Sequence, residues 1–600
     1  SFSPEAFPAS DHLREALLVM QHRGPDDGGL VTFTERGVAH VARRSQLTTN
    51  AQSIHGFLGH NRLAIIDLSE NGHQPMAYTV RGVTYWIVFN GEIYNYIELK
   101  RELGSHGFEF QTESDTEVLL ACYLQWGKDC LHRLNGMFAF AIYEPRSRSL
   151  FMARDRVGKK PLYYTLQPNG GISFASEIKA LRFLDPAKTY ELDRAQARLY
   201  LEFGWNFCSP AQSFYDGIQI LPGGYFLEWK DGRSQITEWW QPVSNPTFEA
   251  LSKNQAKEQI LELFQDAVRM RLRSDVPVGV CLSGGLDSSG IIWGINQLLK
   301  QDPSDQPIHV FTAVRPTGED SEQIHAEQTV KALKNERIVQ HILPIEHIPF
   351  ETVREFCYFH DEPIRNASVL NQYLVFQSVQ KQNIRVLLNG QGADELFWGY
   401  AHHFQRFSLD DVQHGRIGHL LSLLPVLRER SGQSTLKSLL NIGRIPFSGG
   451  QIQRTHTQNM PWMQPASFDA KTVGQLYRYQ QPLELHAFQN AELRHMRLPI
   501  LLRDEDRNSM RFSIETRLPY LDYRLIELAI SLSNLTRTEL SHGYTKPLLR
   551  ETFASTELPK EVVWQKIKRG FYDPVYTRIK DYEKNTLEMI RASDKISEFI

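Results

Sequence analysis

The stretch from Val276 to Leu299 constrains this chain more than any other, because it sets three kinds of local chemistry in one order. Val276 to Leu282 is a short apolar run of strand length. Ser283-Gly284-Gly285-Leu286-Asp287-Ser288-Ser289 is a tight polar loop, and Gly290 to Leu299 has the apolar content of a buried helix. The spacing predicts strand, loop, helix. A helix-period segment at Ala256 to Arg273 and short apolar runs at His309 to Val314 and Arg385 to Leu388 continue the alternation, which predicts an α/β domain around a parallel sheet.

The loop has the chemistry of a phosphate cradle. Glycines 284 and 285 let backbone amides approach an anion, the following helix N-terminus offers unpaired N–H groups, and Ser283 and Ser288 add hydroxyl donors. Asp287 would repel phosphate by itself, so its presence implies Mg²⁺ bridging the phosphates of a nucleotide. No GxxxxGK[ST] segment occurs, and the Ser-Gly-Gly-x-Asp-Ser pattern instead resembles the pyrophosphate loop of N-type ATP pyrophosphatases, which cleave between the α and β phosphates. A second match, Leu387-Leu388-Asn389-Gly390-Gln391-Gly392-Ala393-Asp394-Glu395-Leu396-Phe397, again sets glycines and an acid behind a strand, where ligands of open α/β sheets bind. Asp287 and Asp394 are the candidate Mg²⁺ ligands, and a mere surface loop would not account for both.

The first 240 residues read differently. Short β-branched or alternating runs at Thr84 to Phe89, Met137 to Tyr143 and Ser149 to Ala153, with turn residues between, predict a layered, β-rich domain. Around Gln241 to Asn254 the chain turns rich in Pro, Ser and Asn, as linkers do. From His402 to Leu483 the pattern weakens, with a loop-like Phe447 to Met463, and no chemistry can be assigned to it.

Composition narrows the function. Six hundred residues with 41% hydrophobic content can bury more than one core. Sixty-six basic against 69 acidic residues give a net charge of -3, so neither nucleic acid nor a membrane surface is the expected partner. Five cysteines (122, 130, 208, 281 and 357) without a CxxC pair indicate neither disulfide framework nor zinc site and point to a reducing, cytoplasmic setting. The apolar stretch Leu420 to Leu427, broken by Ser422 and Pro425, is too short to span a bilayer, and no signal peptide can be read at Ser1.

Three further segments complete a pattern: Gln21-His22-Arg23-Gly24-Pro25-Asp26-Asp27, Asn90-Gly91-Glu92-Ile93-Tyr94-Asn95 and Ser513-Ile514-Glu515-Thr516-Arg517-Leu518-Pro519-Tyr520-Leu521-Asp522. With the two glycine loops they make the chain resemble glutamine-dependent asparagine synthetases over nearly its whole length. That resemblance implies an α+β N-terminal-nucleophile (Ntn) hydrolase-type sandwich, antiparallel sheets between helices, over residues 1–240. A linker at 241–254 and an α/β ATP-pyrophosphatase domain with extra helices at 255–600 would follow. Ammonia released from glutamine in the first domain would pass through an internal tunnel to the second. The glutamine-binding groups implied are Arg62, Leu63, Ala64, Ile65, Ile66, Asn90, Gly91, Glu92 and Asp115. Arg62 suits the substrate carboxylate, Asp115 the α-ammonium, and Asn90 with the Gly91 amide an oxyanion. The ATP-binding groups implied are Leu282, Ser283, Gly284, Gly285, Asp287, Ser288, Ala313, Asn389 and Gly390, with Asp287 and Asp394 on Mg²⁺ and Lys546 beside the phosphates as a catalytic cation. The reaction implied activates a carboxylate as an acyl-adenylate, releases pyrophosphate, and lets ammonia displace AMP. Aspartate is the expected acceptor, a homodimer the family expectation.

Two positions depart from the family pattern. The family's nucleophile is an N-terminal cysteine whose own α-amine serves as base, and this chain begins at Ser1, with His22 only twenty-one residues on. The intact glutamine-binding set favours a missing leading segment over natural loss. Gln391 stands where glutamate linked to acyl-adenylate formation is usual, and Asn389 where serine is usual; glutamine cannot act as a base. The departures keep open a relative amidating another carboxylate on a sugar or peptide precursor, an intramolecular amide synthetase like β-lactam synthetases or lasso-peptide cyclases, and a non-catalytic relative. Retention of Arg62, Asn90 and Asp115 counts against the second, and the intact phosphate loop and Mg²⁺ residues against the third.

Overall fold

The structure, a computed structural model, describes residues 1–8, 11–35, 37–43, 53–184, 190–203, 211–302, 306–314, 321–345, 348–364, 368–421, 423, 485–533, 536 and 544–566. The segment Phe447 to Met463 and most of 402–483 lie outside them.

Residues 2–238 build two antiparallel sheets. One has seven strands in the order Gln219–Ile220, Tyr163–Leu166, Ile172–Ala175, Phe2–Pro8, Ser53–Arg62, Asp27–Thr34, Gly37–Arg43. The other has six, in the order Arg233–Glu238, Tyr225–Lys230, Ser149–Arg154, Gly136–Glu144, Val83–Ile93, Met76–Val80. Period-two alternation explains the layers. Val88, Ala139, Ala141 and Tyr143 point inward and meet Phe2, Val31, Phe33 and Leu58 of the facing sheet. Their sequence neighbours Ile87, Phe89, Phe138, Phe140 and Ile142 point outward under the helices Tyr96–Ser105 and Asp115–Trp126. Helices Asp11–Leu18 and Ile178–Leu184 cover the other face, completing a helix–sheet–sheet–helix sandwich.

Between the sandwich and the next sheet, Asn245 caps a short helix, Pro246–Glu249, by accepting from the Thr247 amide. Ser252 and Gln255 then form a reciprocal capping box at the start of Lys253–Arg271. A five-stranded, wholly parallel sheet follows, ordered Ile338–Pro344, Ile308–Val314, Val278–Cys281, Val386–Leu388, Glu515–Arg517. Chain order runs outward from Val278–Cys281 in both directions, so its carboxyl end is a topological switch point, the place where such sheets bind ligands. No described helix is long and apolar enough to cross a membrane.

The two halves meet through buried charge, centred on helix Arg497–Met510. Asp506 accepts from both terminal nitrogens of Arg23 at 2.9 and 3.0 Å. Arg507 lies 3.1 Å from Glu177 and 3.1 Å from Asp361. Glu177 also meets His22 at 3.0 Å, Arg23 at 3.1 Å and Lys179 at 2.6 Å. The His22-to-Asp27 motif is thus a docking device: Gly24 fits only as glycine, since a Cβ there would lie 2.2 Å from the Asn61 carbonyl oxygen.

A second anchor is Asp522, which pairs with the fully buried Arg271 at 3.1 Å, accepts from Asn135 at 2.9 Å, and caps helix Tyr523–Ser531 through the Arg524 amide. Burial opposes its ionisation, yet the guanidiniums of Arg271 and Arg524 hold the carboxyl well below the usual range. Removing one partner of so deep a pair leaves an uncompensated charge. Asp522→Ala is expected to destabilise the protein by about 3–5 kcal/mol, seen as a lower urea midpoint.

Candidate active site

The Ser283 loop, the Asn389 loop and Lys546 converge on a cavity of about 290 Å³ at the carboxyl ends of the central parallel strands. Its wall contains Leu282, Ser283, Gly285, Asp287, Ser288, Ala313, Asn389, Gly390, Gln391, Asp394 and Lys546. The helix after the first loop starts at Leu286, earlier than sequence suggests, so Asp287 and Ser288 occupy its first turn. Gly285 is the extended N-cap, and the Ser288 hydroxyl reaches back to the Gly285 carbonyl at 3.2 Å while receiving the Ser283 amide at 3.2 Å. Gly284, at φ 71°, packs against the Glu322 carbonyl, outside the cavity lining.

Lys546 Nζ lies 2.5 Å from Asp287 Oδ2 and 2.6 Å from Asp394 Oδ1, so carboxylates from two neighbouring strand ends share one ammonium. Two negative charges and one positive leave a single excess negative charge. Oδ1 of Asp287 is buried without a hydrogen-bond donor. Hard carboxylate oxygens with residual charge suit Mg²⁺, so the donor set fits that ion. Asn389 is held by both ends: its amide N–H donates to the Arg517 carbonyl at 3.0 Å and its side chain to Glu505 at 2.9 Å. Burial pushes the Glu505 carboxyl up to about 7 against the hydrogen bonds of Asn389 and Gln372.

A second cavity, about 120 Å³, lies in the sandwich and gathers Arg62, Leu63, Ile65, Ile66, Asn90, Gly91, Glu92 and Asp115. Ala64 is not in its wall; its amide donates to Asp26 at 2.9 Å. The Arg62 guanidinium donates to the carbonyls of Ile66, Asp67 and Ser69. Gly72 is pressed against it, leaving no room for a Cβ. Asn90 Nδ2 donates to Ser176 at 3.3 Å. Asp115 opens helix Asp115–Trp126 and accepts from the Ile93 amide at 2.9 Å; burial, against that bond, pushes its carboxyl up to about 7. Ser1 lies outside this wall, its amine donating to the Phe57 carbonyl at 3.1 Å and its hydroxyl 2.9 Å from that of Ser173.

With this geometry in place, the comparisons decide the family. The glutamine amidotransferase domain matches residues 3–240 and the asparagine synthase domain residues 259–599. The chain belongs to the asparagine synthase family. It is 32% identical over 581 residues to asparagine synthetase [glutamine-hydrolyzing] 1 of Bacillus subtilis (strain 168), covering 94% of this chain and 84% of that protein. Putative asparagine synthetase [glutamine-hydrolyzing] 2 of Methanocaldococcus jannaschii is 32% identical over 455 residues, 72% of this chain and 82% of that protein. Amidase chry2 of Gibberella zeae is 27% identical over 561 residues, 86% and 78% respectively. The two domains are those of an ATP-dependent, glutamine-hydrolysing ligase.

Several residues of this asparagine synthase homologue escaped sequence reasoning. Tyr400, Glu395, Gln372 and Arg550 line the ATP-side cavity, and Ser176, Lys160, Met510 and Glu515 the other. Their only sequence signal was membership of a motif, as with Glu515 and Glu395, or proximity to one, as with Tyr400; the rest become neighbours through folding alone.

Gly399 packs so closely on the acid pair that a Cβ would lie 1.7 Å from Asp394 Oδ1 and 2.6 Å from Lys546 Cε. Gly399→Ala is expected to lower pyrophosphate release by about a hundredfold with little change in melting temperature. In the other cavity an ammonium ligand needs Asp115 ionised. L-Glutamine affinity is therefore expected to rise as pH increases through about 7, with proton release on binding below it, measured by calorimetry in buffers of different ionisation enthalpy.

Proposed function

We propose that the protein is a glutamine-hydrolysing asparagine synthetase that converts aspartate, glutamine and ATP to asparagine, glutamate, AMP and pyrophosphate. The observation that carries this reading is the convergence of Asp287, Asp394 and Lys546 inside a cavity walled by both glycine loops. ATP lies with its phosphates on the Ser283 loop and the first turn of the following helix, where amides and the Ser283 and Ser288 hydroxyls donate. Leu282, Gly285, Ala313, Asn389 and Gly390 frame the nucleotide. Asp287 and Asp394 would hold Mg²⁺, which would supply positive charge to offset that of the phosphates. Lys546 carries the same duty from the protein side, swinging from the carboxylates to the departing pyrophosphate. The acceptor carboxylate attacks the α-phosphorus, pyrophosphate leaves, and ammonia then displaces AMP from the acyl carbon.

In the sandwich domain, proposed to span residues 1–240, Arg62 with Leu63, Ile65 and Ile66 forms the side of the cavity that takes the glutamine carboxylate end. Glu92 and Asp115 face its ammonium, and Asn90 with Gly91 stabilises the oxyanion of amide cleavage. The same reading places the enzyme in the cytoplasm as a homodimer. A second reading, amidation of a different carboxylate, is favoured by Gln391, which lines the cavity as a neutral amide where the family resemblance leads one to expect an acid.

Pyrophosphate release and amide formation should be followed with ATP, Mg²⁺, aspartate and ammonium, the last bypassing the glutamine site. Asparagine formed in step with pyrophosphate is the expected result, and Asp287→Asn is expected to abolish both. Pyrophosphate release that persists in Asp287→Asn would reject the metal assignment. ATP binding without turnover of aspartate would favour the second reading.

A further inference from the structure

The glutamine cavity is walled in part by the other half of the protein. Met510 and Glu515, from the helix and strand that complete the parallel-sheet domain, line it together with Asp115 and Glu92. Glu515 and Glu92 meet at one guanidinium. Arg517 Nε donates to Glu515 at 2.8 Å, its Nη2 lies 3.3 Å from Glu92, and its Nη1 donates to the carbonyls of Arg271 and Arg273 at 3.0 and 2.6 Å. Arg517 has no exposed surface, and Glu92, Asp115 and Glu515 are each about 5% exposed or less.

The charges do not balance. Among the described residues, Glu92 and Glu515 form ion pairs only with Arg517, and Asp115 forms none. Three acid side chains face one guanidinium, the Lys160 ammonium of the same wall being 3.7 Å from Asp506, and Glu92 Oε1 is buried without a donor. Burial, then the charge of Asp115, pushes the Glu92 carboxyl well above its usual range. Arg62, the remaining cation of the glutamine-binding set, is turned to backbone carbonyls at 66, 67 and 69. A site built this way lacks one cationic donor, the feature that an α-ammonium group supplies.

Resting on the glutamine reading above, we propose that Glu515 is a specificity-determining residue for the ammonium group of glutamine and that Arg517 is the positioning residue that aims Glu515 and Glu92 at it. The glutamine site is then shared between the two halves, complete only when the strand Glu515–Arg517 is docked against the sandwich. The same strand reaches the ATP side, where the Arg517 carbonyl holds the Asn389 amide at 3.0 Å.

Glu515→Gln keeps the side-chain shape and an acceptor for Arg517 Nε while removing the charge. The test is calorimetric binding to the full chain, which needs no hydrolysis, with L-glutamine and with 4-carbamoylbutanoate, glutamine without its amino group, as probes. L-Glutamine is expected to bind Glu515→Gln about tenfold to a hundredfold more weakly. Binding of 4-carbamoylbutanoate should be unchanged or tighter. Arg517→Lys keeps the charge but loses the fork and is expected to show the same loss of discrimination in milder form. Equal loss for both probes would show a merely structural role and overturn the proposal, as would unchanged L-glutamine affinity in Glu515→Gln. Failure of the unaltered chain to bind L-glutamine would instead overturn the donor reading, and this proposal with it.

Discussion

Glu177 gathers His22, Arg23, Lys179 and Arg507 around one fully buried carboxylate, and the placement of both cavities rests on that cluster. Burial alone would keep the acid neutral; the cations around it hold it ionised, far below its usual range. Net stabilisation from such a cluster is small, because desolvation offsets most of the Coulomb gain, but its geometry tolerates few alternatives. The partner helix, Arg497–Met510, is thereby pinned in position and direction. Leu501 of that helix lines the cavity of the parallel-sheet half and Met510 the cavity of the sandwich, so one rigid element sets the relation between the two.

Local strain marks the ATP side. Lys546 and Trp398, neither of them glycine, both sit at positive φ, 54° and 63°, and the Lys546 amide donates to the Trp398 carbonyl at 3.4 Å. Such conformations cost on the order of 1–3 kcal/mol each and persist only where the surroundings leave no alternative. Here the helix Pro547–Phe553 begins directly after Lys546, and the strained turn aims the ammonium at Asp287 and Asp394 instead of at solvent. A lysine that sequence alone would assign to a solvated surface is 4% exposed.

Much of the architecture was legible because it depends on periodicity. The β-branched and apolar runs Thr84 to Phe89 and Met137 to Tyr143 marked strands of a layered domain, and the apolar runs before Ser283 and Asn389 marked buried parallel strands. The start of the helix at Leu286 was less legible, since a glycine N-cap with a serine reaching back looks in sequence like more loop. The His22-to-Asp27 motif could be recognised but not explained. Its arginine and histidine look like site chemistry, and only the position of Asp506 and Glu177, 483 and 155 residues away along the chain, shows them to be structural. Glu515 went the other way, a motif residue of no assigned use that folding places in the wall of the sandwich cavity beside Asp115 and Glu92.

By itself the sequence determined the local units: which segments are strands or helices, where glycine loops follow strands, and which acids stand at strand ends. These follow from interactions within a few residues, where side-chain type and spacing suffice. Tertiary structure alone decided that Asp287, Asp394 and Lys546 share one point, that Arg62 is turned to its own loop, and that Glu92 and Glu515 meet at one guanidinium in a cavity wall they share with Asp115. Those facts are long-range sums of charge and burial. A carboxylate's partner, and with it its charge and its use, is set by whichever chain segment packing brings within a few ångströms.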